Sequence, residues 1–358
     1  MKKIAIVGAG NAGCMTALHY FNHGQDQFEV DIYHSPDTHP IEKVGQGTVI
    51  PQALYICDSL GIDVNNNIID ATIKTGFLYQ DWGKKSKEIF AGFFAKFDVS
   101  AIHYVPEKLS KAVLETGNFN VHEGIIHDPE KEIDADYIFD CRGRHGRDEG
   151  NYEPLVATVN SVLLYNKPGK IDLDYTRGVA TPNGWTFIIP NLDSVSYGYL
   201  YNRDITTKED ATKDFLERFD LPSVDFDLDF DSYVAKEIFV GERTILNGNR
   251  CSFYEPLEAT ALSFYHDVAK YAWSYIVEGA DKEWCNNKLR HHMKEVETYI
   301  LWHYRHGSIY DTPFWEYAKS LPWEPDKLFY DCLSQPQSML TYGQWQSPVF
   351  QSWDKNIN

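Results

Sequence analysis

Three glycines close to the start, in "KIAIVGAGNAG", constrain this chain more than any other feature. A β-branched run over residues 3–7 leads directly into Gly8, Gly10 and Gly13, spaced G-x-G-x-x-G, and then into a helix-compatible segment through His23. "FEVDIYH" (28–34) reads as a second strand, completing a β-α-β opening. In that setting Gly8 allows the tight turn and Gly10 lets backbone approach a pyrophosphate. Asn11 and Ala12 open the helix whose N-terminus faces the phosphate charge, and Gly13 lets helix pack on strand. The plainer reading is a glycine-rich turn. The position where an acid would bind an adenine ribose is His34, whose ring can still donate to a hydroxyl. "DYIFDCRGRHG" (136–146) adds a strand ending in Asp140, followed by Gly143. Many FAD enzymes place such an aspartate near the ribityl chain, whereas a simple nicotinamide dehydrogenase has no need of it, so FAD is favoured over NAD.

At 358 residues, one large two-part fold or two domains is expected. With 43% hydrophobic and 24% charged residues the chain can bury a core. A formal net charge of -19 without a basic patch argues against nucleic-acid and peripheral membrane partners. No run is long enough to span a bilayer. Six cysteines (Cys14, Cys57, Cys141, Cys251, Cys285, Cys332) lack any Cys-x-x-Cys pair, which fits reduced thiols and a cytoplasmic protein.

Strands are expected at 71–81, 134–139, 156–165, 184–190 and 194–201, with helices near 51–60 and 106–116. From about residue 259 the chain reads as mainly helical, with Leu289, Met293, Val296 and Ile300 at helical spacing in a glycine- and proline-free stretch from Asp281 to Arg305. This places a domain boundary at 258/259. "DFDLDFD" (225–231) reads as an exposed edge strand or loop. His291, His292, His303 and His306 lack an Asp or Cys at ligand spacing, so no metal is expected. The aromatic-rich end of the chain suits a pocket lining or a subunit contact, which leaves a homo-oligomer open.

Several separated motifs resemble the flavin-dependent tryptophan halogenase family. Besides the glycine motif, "ATIKTGFLYQDW" (71–82) looks like the family segment with a lysine two residues before a glycine, and Lys74 matches that lysine. "GWTFIIP" (184–190) is similar to the W-x-W-x-I-P signature, with Trp185 and Pro190 in place and Phe187 where the second tryptophan belongs. "EPLEATAL" (255–262) resembles P-L-E-S-T-G: Glu258 matches the catalytic glutamate, and Thr260 with Ala261 match the segment whose amides hold the halide. "VGQGTVIP" (44–51) resembles the flavin-contacting loop through Gly45 and Gln46, the latter replacing a glutamate. "HYRHGSIYDTPFW" (303–315) looks like a C-terminal family pattern. Members are usually far longer, which implies a reduced cap over the substrate, and the shortness and acidity also resemble halogenases carried by viruses.

The resemblance implies an α/β, FAD-binding Rossmann-type fold of the aromatic hydroxylase kind, with a mixed β-sheet layer and a reduced helical C-terminal part. It implies oxidation of a halide to hypohalous acid at FADH2 supplied by a separate flavin reductase, then halogen transfer through Lys74 to an electron-rich, indole-like arene. Glu258 would accept the ring proton or polarise the hypohalous acid, although "EPLEATALSF" equally reads as a proline-led helix start where a glutamate suits the dipole. Trp185 would wall the flavin from the substrate, or serve as a core tryptophan. Phe187 and the altered loop keep open a flavin-dependent hydroxylase, and loss of turnover would leave a flavin-binding protein.

Overall fold

The computed structural model describes residues 1–24, 26–36, 44–63, 65–92, 101–144, 147–335 and 338–357. The glycine motif folds as its spacing dictates. Strand β1 (Lys2–Val7) feeds helix α1 (Asn11–Gly24), which returns to β2 (Phe28–His34), paired parallel to β1. Gly8 adopts φ +110, and a Cβ there would meet the Cys141 carbonyl oxygen at 2.6 Å. A Cβ on Gly13 would lie 1.9 Å from the Gly8 oxygen, so helix and turn can close only over a bare Cα. β1 sits centrally in a six-stranded sheet, flanked by β2 and by Tyr137–Asp140. Beyond the latter lies Thr244–Leu246, also parallel. This is the α/β Rossmann-type layer.

A seven-stranded sheet forms the second layer. Thr176–Thr181, Gly184–Pro190 and Ser194–Tyr201 are antiparallel neighbours within it. Its outer edge is Phe226–Asp229, so the acid-apolar alternation of 225–231 marks an edge strand that pairs on one side only.

The expected 71–81 strand is in fact two. Thr72–Lys74 belongs to a three-stranded sheet with Gln46–Gly47 and Ala101–Tyr104, whereas Gly76–Gln80 belongs to the seven-stranded sheet. Gly76 permits the crossing, because a Cβ there would lie 2.4 Å from the Ala91 oxygen. Lys74 therefore ends one sheet at the seam with another.

Helices at Thr260–Ile276, Lys282–Arg305, Pro313–Ser320, Lys327–Ser334 and Ser347–Ile357 make the last third mainly helical. The first of these packs on α1, and one apolar core runs from Ile4 to Trp353. Trp315, Phe329, Tyr342, Trp345, Phe350 and Trp353 are all buried in it, so much of the aromatic-rich end is core. No helix among the described residues is long and apolar enough to cross a membrane.

Gly13→Ala is expected to lower unfolding free energy by about 1–3 kcal/mol or more, since backbone rather than a flexible side chain blocks the added methyl. Urea denaturation of the variant against wild type checks this.

Candidate active site

Lys74 is one of the largest fully enclosed side chains, only 2% exposed. It reaches past the central Ala101–Tyr104 strand and its Nζ donates to the Thr48 carbonyl at 2.9 Å. A Cβ on Gly47 would lie 3.0 Å from that Nζ, so the glycine makes room for the ammonium. Burial pushes the lysine pKa down to about 8, with the Glu258 carboxylate pulling in the opposite direction. His103, fully buried on the central strand, lies close enough to Lys74 to feel its charge. Burial, and then Lys74, hold that imidazole well below its ordinary range, and its Nε2 sits 2.8 Å from Thr176 Oγ1.

Three chain segments lock this lysine sheet together. Gly45 N–H donates to Ser196 Oγ, and a Cβ on Gly45 would strike the Asn191 side chain at 2.1 Å. Thr72 Oγ1 donates to the Pro190 carbonyl. Gln46 pairs with Tyr104, whose hydroxyl donates to Asn11 Oδ1 at 2.9 Å. The 44–48 loop, the lysine strand and the end of Gly184–Pro190 thus converge, and Tyr104 ties them to the glycine turn.

Glu258 sits on a turn of unusual backbone. Glu258 has φ +71 and Ala259 φ +52, two successive non-glycine residues in the left-handed region, each costing about 1 kcal/mol or more. The helix begins at Thr260, its first turn uncapped by any side chain. A 3-10 turn, Leu257–Ala259, leads straight into it, and the Thr260 and Ala261 amides stand at its positively polarised end. Glu258 Oε2 accepts from Trp345 Nε1 at 2.8 Å, and Gln344 Nε2 donates to the Glu258 carbonyl at 3.2 Å. Oε1 lies 3.3 Å from His303 Nε2, whose ring is anchored by Nδ1 on the Tyr299 carbonyl. Since that carbonyl can only accept, Nδ1 carries a proton.

Sequence reasoning set His303 aside with the other helix histidines, yet it touches Glu258. His103, Thr48 and Trp345 were missed as well; a buried imidazole on a strand and a tryptophan far along the chain carry no local signal. His291 and His292 sit by Glu295 and Asp267 instead. Among the described residues no three His, Cys, Asp or Glu side chains cluster as metal ligands.

Trp185 is fully buried in the seven-stranded sheet, its ring centroid 6.4 Å from that of Trp82, which in turn touches His303 and Tyr304. Its indole N–H lies near the Glu255 carboxylate. His34 ends β2 beside the glycine turn, where Gly8 N–H donates to the Tyr33 carbonyl.

Asp140 stands level with Val7 at the end of β1. Its carboxylate is engaged by Arg142 (Nε 2.9 Å, Nη2 2.8 Å) and Arg250 (Nε 2.9 Å). Burial raises its pKa, but the two guanidiniums outweigh that and hold it below the usual carboxylate range. Residues 145 and 146 of its motif lie outside the described residues. The Gly248–Arg250 turn was not anticipated; a Cβ on Gly248 would meet Ala12 Cβ at 2.7 Å, so this second glycine turn closes on the start of α1.

These residues fit a dinucleotide. Ala9 and Gly10 of the turn and Asn11 at the helix start are partly exposed, and no acidic side chain lies in the first turn of α1 to repel a pyrophosphate. The site then offers a glycine turn before a helix N-terminus, a second helix start beside Glu258, and a buried amine in the field of that carboxylate.

Because Lys74 titrates lower in the fold than in the unfolded chain, the unfolded chain holds the extra proton between about 8 and 10.5, and stability rises with pH across that window. Lys74→Met is expected to be more stable than wild type at pH 7 by roughly 2 kcal/mol, the charge-burial cost less one hydrogen bond to Thr48. Above that window the sign should reverse, because only the lost hydrogen bond to Thr48 remains, as urea unfolding at the two pH values would show.

The tryptophan halogenase family profile matches residues 3–112 and 101–346. Tryptophan 7-halogenase RebH of Lentzea aerocolonigenes is 26% identical over 210 residues, covering 53% of this chain and 39% of that protein. The match thus spans about two-fifths of the curated relative's length. Among solved structures, a tryptophan 6-halogenase (SttH) from Streptomyces toxytricini superposes with TM-score 0.80 at 18% identity, over 100% of this chain and 91% of that one. A tryptophan halogenase from Shewanella frigidimarina gives TM-score 0.82 at 20% identity, over 100% and 89%. Lys74, Trp185 and the Glu258 turn lie within the matched residues, and the chain belongs to the tryptophan halogenase family.

Proposed function

We propose that the protein is a flavin-dependent halogenase acting on an electron-rich, indole-like aromatic substrate. The observation that carries this reading is a wholly buried amine held at pKa about 8 within the field of Glu258. A structural lysine would gain nothing from such a position, because its charge is costly there. At pH 7 about one in ten such amines is neutral and nucleophilic, far more than for a solvated lysine.

FAD would be held by Gly8, Gly10, Asn11, Ala12 and Gly13, with His34 at the ribose position and Gly45, Gln46 and Trp185 on the ring side. Asp140 would act toward the cofactor by orienting Arg142 and Arg250. Bound as FADH2, the cofactor supplies with oxygen the two-electron oxidation of a halide; one nucleotide motif claimed by flavin points to a separate flavin reductase. The halide would rest on the Thr260 and Ala261 amides, where the positive end of the helix dipole favours an anion. Lys74 holds the hypohalous acid by hydrogen bond, or takes its halogen as a haloamine, and keeps it from water. Glu258 then accepts the proton leaving the substituted ring. Its carboxylate is already oriented by Trp345 and lies beside His303, which offers the proton an onward path. Trp185 separates flavin from arene.

Lys74→Ala should abolish halogenation while leaving flavin affinity and peroxide formation nearly unchanged. Glu258→Gln should reduce halogenation about 10²-fold or more without loss of fold. Both are read by product mass on indole substrates with FADH2, oxygen and bromide. Oxygen insertion that proceeds equally without bromide would instead identify a hydroxylase.

A further inference from the structure

Three residues before Glu258 lies a second carboxylate, Glu255, with no part in the scheme above. It is 2% exposed. Both oxygens are occupied: Thr158 Oγ1 donates to Oε2, and Tyr304 Oη donates to Oε1 at 2.7 Å. The Trp185 indole N–H, without a full hydrogen bond among the described residues, also favours the charged carboxylate. Thr158 precedes the Ser161–Pro168 strand, Tyr304 ends the long Lys282–Arg305 helix, and Trp185 lies in the Gly184–Pro190 strand. One carboxylate therefore bonds two elements and lies beside a third, at the point where the chain enters the strained 258–259 turn.

We infer that Glu255 is a positioning residue which, when ionised, pins the entrance of the Glu258–Ala259 turn and the adjacent Trp185, so that Glu258 keeps its orientation toward the reacting pair. The inference rests on the halogenase reading. An ionised carboxylate accepts from Thr158 and Tyr304 at once and is favoured by the nearby Trp185 N–H. Its protonated form gives up an acceptor and adds a hydroxyl that needs one. The anchor is therefore tighter when Glu255 is charged, and a turn with two left-handed non-glycine residues needs such an anchor to stay in place.

Burial raises the Glu255 pKa to about 7, against the opposing pull of Thr158, Tyr304 and Trp185. Titratable neighbours are Tyr304 on the long helix and Tyr254 on its own segment, with Glu297 and Tyr317 beyond Tyr254 and Glu258 along the turn.

The test is the pH profile of halogenation with FADH2, oxygen and bromide, alongside the infrared carboxyl band of the whole protein. Wild type should lose rate as pH falls through about 7. Glu255→Gln should be roughly tenfold slower and lose the limb near 7, keeping only the one that Lys74 sets near 8, while retaining flavin binding. Tyr304→Phe removes a donor that favours the charged form, so its limb should move to higher pH; this variant decides the matter if Glu255→Gln fails to fold. A wild-type limb in Glu255→Gln, or an unmoved limb in Tyr304→Phe, overturns the inference. So does the absence of an infrared band that titrates in wild type and is missing in Glu255→Gln. If that band is present but wild type halogenates no arene, the halogenase reading is what fails.

Discussion

A lysine ammonium enclosed by protein is the constraint around which this site is arranged. Removing such a charge from water costs several kcal/mol unless the surroundings replace its hydration. Here the replacement comes from the Thr48 carbonyl and the more distant Glu258 carboxylate. Each requirement fixes a neighbour. The carbonyl must lie across a strand, so the 44–48 loop is held to Ile102 by the Thr48 amide and hydroxyl. The ammonium needs space, so residue 47 is glycine. The short three-stranded sheet exists largely to bring these groups together.

The second half of the site depends on stored backbone strain. Glu258 and Ala259 occupy the left-handed region where an asparagine or glycine would be more comfortable. The surroundings over-determine the turn: Gln344 and Trp345 hold Glu258 from one side, the long helix presents His303 from another, and Glu255 anchors the approach. Such strain persists where a backbone must expose its amides and aim a side chain at once.

The Rossmann-type layer was legible in sequence because its information is local: three glycines at fixed offsets, each with a steric reason found at Gly8 and Gly13. Lys74 and Glu258 were legible through family motifs rather than through pattern, since a buried lysine on a short strand looks like any surface lysine. The break at Thr75 escaped notice because alternation continues across it, and the change of sheet is set by what Gly76 meets, not by its neighbours in sequence. His103, His303, Trp345 and Glu255 escaped for the same reason. Their roles arise from contacts across more than 40 residues of chain, as with Tyr304 and Glu255 or Trp345 and Glu258. The Asp140 motif was found where a strand was expected, but the arginines that claim its carboxylate could not be foreseen, one of them being 110 residues away.

Trp345 gives Glu258 a hydrogen bond, and it is translated long after Lys74. Synthesis runs from the N-terminus, so the lysine strand has left the ribosome while Glu258 still lacks that partner. The bond that orients the carboxylate is therefore the last of the site's contacts whose residues leave the ribosome.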